Sequence, residues 1–336
     1  MLFSNYLKQA LREQVVGHEY AITSVTRAVT LALSRRRELH HPLVTLLFIG
    51  PSGSGKTHLA RALARTLLGS ERKLIYINCP QLSQSAHPIT DLYEQLVAGA
   101  RNAQLAPPCW PQPFSILIFE KIDKASPAFR DQLAAALSRA ELYVRGCPVS
   151  LDNTFVILTS DLSQKLTDQL IGRTIGFFRN DGNEAEEPPR QQQLVLEEFD
   201  HLLGDYLVNR IDDIIIFESL TGQNVITLLE QQLAGVEQQL AGSGIGLLVE
   251  PEVKTFLLRH SLEDLTHGMR QIKRIVRNYL EFPLADLILS GLIAPGATVV
   301  ARYEPPRNFL HFHILIPRLS PAYSLLTTPY EPAAVG

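Results

Sequence analysis

The sequence predicts an α/β fold: a parallel sheet built around a phosphate-binding loop, followed by a smaller, mostly helical domain. Three observations carry that reading. An apolar run, Leu46-Leu47-Phe48-Ile49, leads straight into the glycine-rich stretch Gly50-Pro51-Ser52-Gly53-Ser54-Gly55-Lys56-Thr57, and His58 to Leu68 reads as a helix behind it. Further apolar runs alternate with helical stretches as far as Phe217, the order expected of a parallel sheet. Beyond Leu220 the pattern turns to helices and closes on two strands.

The glycine-rich stretch fits G-x-x-x-x-G-K-[ST] in its strand–loop–helix setting. Glycines let main-chain N–H groups turn inward around a polyphosphate, and the helix N-terminus adds positive partial charge. Lys56 is placed to reach the β- and γ-phosphates, and Thr57 to hold Mg²⁺ through its hydroxyl. Gly50, Pro51, Ser52, Gly53, Ser54, Gly55 and His58 complete the expected cradle. ATP and Mg²⁺ are the cofactors this implies.

Taken in order, residues 1–18 read as a short helix and a turn at Val15-Val16-Gly17-His18. From Glu19 to Glu38, Ala21, Ile22, Val25, Ala28, Val29, Ala32 and Leu33 recur at helical spacing. Arg35-Arg36-Arg37 close that helix, where cations suit the macrodipole better than they suggest a nucleic-acid patch. Leu74–Asn78 is a short strand, Ile89 to Arg101 a helix, and Pro107–Pro113 a stiff connection too proline-dense for regular structure. Phe114–Phe119 reads as a buried parallel strand ending in Glu120, then come a helix from Pro127 to Ala140 and a strand over Asn153–Asp161. Arg179 to Gln193 is a polar loop, Gln193 to Tyr206 a helix and Asp213–Phe217 a core strand. Helices follow over Thr221–Ala241, Pro251–His260 and Met269–Leu289, the last with Pro283 inside. Thr298–Tyr303 and Phe309–Ile316 form a hairpin, with His311 and His313 on a face read as solvated rather than metal-binding. The tail from Arg318 is proline-rich and expected to be mobile.

At 336 residues with 46% apolar composition, the chain can bury a full core in two domains. A net charge of −3 excludes a global field for nucleic acid or membrane. Three cysteines without CxxC spacing argue against a disulfide framework or zinc site. No apolar run reaches membrane-span length, and the N-terminus lacks a leader pattern, so the expected setting is the cytoplasm.

By its motifs the chain resembles the Clp-type AAA+ module, most closely the second ATPase ring of the Clp and heat-shock disaggregases, over about residues 12–316. The matching pieces are Val15–His18, the phosphate loop, Ile118–Pro127, Ile157–Leu162, Leu207–Asp212, His267–Arg274 and Pro283–Gly291. The resemblance implies an αβα AAA+ domain over residues 1–218, a small helical lid with a terminal hairpin over 219–317, and a tail over 318–336. It implies nucleotide at the seam with a neighbouring subunit. Val16 and Gly17 would line the adenine pocket, Arg210 would be the arginine finger and Arg270 the sensor-2 arginine. Arg210 has a bland alternative as partner of Asp212 or Asp213. The module begins almost at Met1, so targeting is expected from loops or partners.

Where the family ends its Walker B strand in Asp-Glu, this chain has Glu120 and Lys121. Glu120 can still accept from a metal-bound water. Lys121, at the general-base position, has no lone pair to take a proton. A second register would put Phe119 at the Asp position and keep Glu120 as base, at the cost of an inserted residue and the metal carboxylate. Asp161 stands where sensor-1 Asn is usual, a negative charge that Lys121 would offset. The family's pore-loop aromatic has no counterpart; Ser83–Pro88 stand there, with Tyr93 nearby.

The leading expectation is an ATP-binding AAA+ subunit with weak or absent hydrolysis, acting in assembly or regulation. It would assemble with itself or another AAA+ subunit and meet a protein client or regulator. An active chaperone or unfoldase, with its base from Glu120 or a partner, is the second reading. A nucleic-acid-dependent ATPase, supported only by Arg35–Arg37, is the third.

Overall fold

The computed structural model describes residues 2–34, 41–83, 115–144, 147–161, 203–218, 220–263, 268–304, 309–315 and 326–330. The expected helix over 89–101, the proline-rich link over 107–113, the loop over 179–193, most of the helix over 193–206 and Arg35–Arg37 lie outside them. The chain divides into two compact units, Met1–Ser219 and Leu220–Gly336.

In the first unit, α1 (Leu2–Gln14) and α2 (Glu19–Ser34) precede β1 (Val44–Gly50) and α3 (Lys56–Leu68). β2 (Leu74–Asn78), the short α4 (Cys79–Ser83), β3 (Ser115–Glu120) and α5 (Pro127–Arg139) follow. A hairpin of β4 (Glu141–Val144) and β5 (Cys147–Ser150) leads to β6 (Thr154–Asp161), α6 (Asp205–Val208) and β7 (Asp213–Ile216). The five-stranded sheet has the order β2-β3-β6-β1-β7, and every pair in it is parallel.

The continuous apolar runs are what a sheet covered on both faces requires, since successive side chains point to opposite sides. Leu46 and Phe48 of β1 join Ile116, Ile118, Phe155 and Ile157 in a core against α1, α2 and α3. Leu47 and Ile49 join Leu117, Phe119, Val156 and Leu158 in a second core with Phe129, Leu133 and Leu137 of α5. All seven residues of β1 are buried. Register then aligns the carboxyl ends: Gly50 pairs with Asp161, and Asn78 with Glu120.

The second unit contains α7 (Gly222–Gly242), β8 (Gly246–Val249), α8 (Pro251–Glu263), α9 (Met269–Val276), α10 (Phe282–Leu289), β9 (Thr298–Glu304), β10 (Phe309–Leu315) and β11 (Leu326–Tyr330). A π-helical turn over Arg277–Glu281 links α9 to α10, with the Phe282 N–H bonded to Arg277 O. Pro283 explains it: proline has no N–H and its ring crowds the carbonyl four residues back, and the wider turn relieves both. The predicted hairpin is β9–β10, but it belongs to a four-stranded sheet in the order β11-β10-β9-β8. Two expectations are corrected here. Residues 326–330 of the tail form a strand on β10, and His311 is buried rather than solvated, with Nε2 3.1 Å from Glu304 Oε2. Among the described residues, no group of three or more His, Cys, Asp or Glu could hold a metal ion.

Candidate functional site

The carboxyl edge of the first unit's sheet carries the loop between β1 and α3. Gly50, Gly53 and Gly55 sit at positive φ, 155°, 80° and 102°. At Gly50 a side chain is excluded outright: a Cβ would lie 2.5 Å from Phe217 O, because the Phe217 N–H is bonded to Ile49 O at 2.7 Å. Gly55 is the N-cap of α3, so the first N–H groups of a 13-residue helix face the loop without intrahelical partners. The Ser54 hydroxyl is buried without a hydrogen-bond partner. An orphaned buried hydroxyl beside a helix N-terminus suits a polyphosphate ligand.

Lys56 is only 6% exposed, and its ammonium is fully engaged. Nζ donates to Gly50 O and Pro51 O, both at 2.8 Å, and lies 2.8 Å from Asp161 Oδ1. Lys121 follows β3 at φ 56°, its N–H donating to Thr159 Oγ1 at 3.1 Å. Its Nζ stands 3.6 Å from Asp161 Oδ2. One carboxylate therefore bridges two ammonium groups at the strand ends. The juxtaposition follows from sheet order, since β6 lies between β3 and β1.

Tyr76, on β2 beside β3, was not singled out by sequence reasoning. Its phenol lies within electrostatic reach of the Glu120 carboxylate and the Thr57 hydroxyl. Burial, with the Glu120 carboxylate second, pushes the phenol well above its usual range, so it stays protonated. Thr57 and Glu120 are donor types that Mg²⁺ takes, a hydroxyl and one carboxylate, and to that extent the residues fit the ion.

Val16 and Gly17 are partly buried before α2, with Gly17 at φ 73°. The next residue, His18, packs its ring 5.2 Å from Phe217, which packs in turn 5.2 Å from Phe48. Burial depresses His18 to about 4, its hydrogen bond to the Ser54 backbone opposes this, and Lys56 adds to it. The imidazole is thus neutral and sits behind the loop. The partner Phe217 was legible only as a strand residue. His58 turns its side chain to Gln14 O at 2.9 Å, leaving its main-chain N–H as what it offers the loop.

Arg210 is exposed, just past α6. Asp212 accepts from the Thr45 N–H at 2.7 Å and Asp213 pairs with Arg27 at 3.2 Å, so neither carboxylate is committed to Arg210. In the second unit, Arg270 is exposed in the first turn of α9.

A family model described as AAA domain (Cdc48 subfamily) matches residues 41–214, and one described as the C-terminal, D2-small domain of ClpB protein matches residues 220–301. Chaperone protein ClpD, chloroplastic, of Arabidopsis thaliana is 29% identical over 90% of this chain and 32% of its own length. Chaperone protein ClpB of Aquifex aeolicus is 31% identical over 89% of this chain and 29% of its own length. The ClpA homolog of Pyropia yezoensis, an ATP-dependent Clp protease ATP-binding subunit, is 27% identical over 88% of the chain and 36% of its own. The chain thus spans about a third of the length of the curated relatives it matches. With the parallel sheet, its glycine loop and both family matches in accord, the chain belongs to the AAA+ family as a Clp-type module of the second-ring kind.

Proposed function

We propose that this module binds ATP in the β1–α3 loop, hydrolyses it weakly or not at all, and serves as a nucleotide-held component of an assembly. One observation carries the second clause: the group following the β3 carboxylate is an ammonium engaged with Asp161. It cannot accept a proton from water, and loss of a general base costs roughly 10²–10⁴ in rate. Lys56 would hold the phosphates with the α3 amides, while Val16 and Gly17 would meet the base. Arg270 is proposed, from the resemblance alone, as a phosphate-contacting arginine. Thr57 and Glu120 would hold Mg²⁺, which when bound neutralises phosphate charge.

Arg210 supports assembly with another copy or another AAA+ subunit. It is exposed, and among the described residues no carboxylate pairs with it, so it is available to a neighbour's phosphates. A protein client or regulator fits the chaperone relatives. A cytoplasmic setting stays part of the proposal, since three cysteines without CxxC spacing suit a reducing compartment. No helix among the described residues is long and apolar enough to cross a membrane.

The test is to mix the purified protein with ATP and Mg²⁺ and measure particle mass and phosphate release together. The expected result is a nucleotide-dependent rise in mass with little phosphate released. Turnover like that of an ordinary Clp ATPase would refute the weak-hydrolysis reading, and an unchanged mass would refute assembly.

A further inference from the structure

Two ammonium groups crowd the place where a metal-dependent nucleotide site needs one. Lys56 and Lys121 lie 2.8 and 3.6 Å from the two oxygens of Asp161. They differ in access: the Lys56 side chain is 6% exposed, the Lys121 side chain 36%. Lys121 can therefore reach a ligand that arrives at the loop without any rearrangement of the sheet. Its own tether is flexible, and a phosphate oxygen can replace the Asp161 oxygen as a charge-assisted acceptor.

The charge balance points the same way. Lys56, Lys121, Glu120 and Asp161 sum to zero, two positive against two negative. The Asp-Glu and Asn pattern at the last three positions, with the lysine kept, would sum to one net negative charge. In that pattern the metal offsets both the carboxylates and the phosphates. Here an ammonium stands directly after Glu120 and within 3.6 Å of Asp161, so a cation is already resident beside the phosphate loop.

We propose that nucleotide binds this chain without needing a divalent cation, with Lys121 supplying at the terminal phosphates the charge that a metal supplies elsewhere. The proposal rests on the nucleotide-binding reading above and adds its cation requirement.

The experiment measures the Kd of a fluorescent N-methylanthraniloyl-ATP by titration, in excess Mg²⁺ and in EDTA, for the wild type, Lys121→Gln and Lys121→Arg. Position 121 holds a left-handed φ of 56°, which Gln and Arg meet on the same terms as Lys, and the side chain is not part of the core. In the wild type, EDTA should weaken binding by less than about fivefold. Lys121→Gln should lose roughly 10- to 100-fold in EDTA, the worth of a charge-assisted hydrogen bond, and regain it in Mg²⁺. Lys121→Arg should behave as wild type. A wild-type loss above about fivefold in EDTA overturns the inference and leaves nucleotide binding standing. So does a Gln variant that tolerates EDTA, or one equally weak in both buffers. Wild-type binding in neither buffer overturns the nucleotide reading itself.

Discussion

On the proposed reading, replacing Lys121 by Glu introduces the residue type of a general base, yet the surroundings of Lys121 predict that this change alone gains little hydrolysis. Lys121 Nζ is 3.6 Å from Asp161 Oδ2, so a carboxylate introduced there faces a carboxylate across a similar gap. Two like charges about 4 Å apart repel by about 4 kcal/mol at an effective dielectric of 20, and by about 1 kcal/mol in bulk water. With side chains 36% and 23% exposed, the pair lies between those limits. The repulsion favours holding one of the two carboxyl groups protonated, so the pair does not offer a free base, and it opposes a triphosphate. Removing the second charge with Asp161→Asn should release the gain. The expected pattern is a less than tenfold rise in steady-state phosphate release for Lys121→Glu and no rise for Asp161→Asn. The double variant should gain roughly 10²-fold, the lower end of what a general base contributes. Measured as a double-mutant cycle in Mg²⁺-ATP, the two changes must be strongly non-additive. Equal turnover in Lys121→Glu and the double variant, or no gain in the double variant, would refute the reasoning.

Two further predictions concern the scaffold behind the loop. His18 is held neutral with its protonation depressed to about 4, against 6.5 in the unfolded chain. The unfolded state therefore binds more protons between those values. This contribution is fully present above pH 6.5 and is lost as pH falls toward 4, by up to about 3 kcal/mol. Urea titrations across that window should show the loss, and His18→Gln should flatten it; an unchanged slope in the variant would assign the loss to other groups. Gly50→Ala forces a Cβ to within 2.5 Å of Phe217 O and 2.8 Å of Phe217 Cβ, where a 2.7 Å main-chain bond prevents retreat. Overpacking of this kind costs about 1–3 kcal/mol, so thermal melts should fall by several degrees, and an unaltered Tm would show that β7 yields at its end.

Much of the fold was legible because burial on a sheet is a local pattern. A strand covered on both faces must be apolar throughout, so Leu46–Ile49, Ile116–Phe119 and Phe155–Leu158 declare themselves without knowledge of their neighbours. The loop was legible for a similar reason: Gly50, Gly53 and Gly55 adopt the positive φ angles that their spacing anticipates. Elements lacking such a signature were missed. The β4–β5 hairpin and β8 are four residues per strand, too short to show a period, and β11 contains Pro329, a residue that demotes a strand assignment. His311 alternates as a solvated strand residue would, but pairing of β10 on both sides helps bury it.

The sequence by itself determined which residues stand at the carboxyl ends of the strands: Gly50 and the loop after β1, Glu120 and Lys121 after β3, Asp161 at the end of β6. It also placed an ammonium, Lys121, directly after the carboxylate that ends β3. Tertiary structure alone decided who meets whom there. Strand order and register brought Asp161 between Lys56 and Lys121, Tyr76 near both Thr57 and Glu120, and Phe217 against His18 and Gly50. The physical reason is range. Main-chain conformation and burial are imposed by near neighbours in the chain, whereas charge pairing and ring packing depend on distances that exist only once the sheet has assembled.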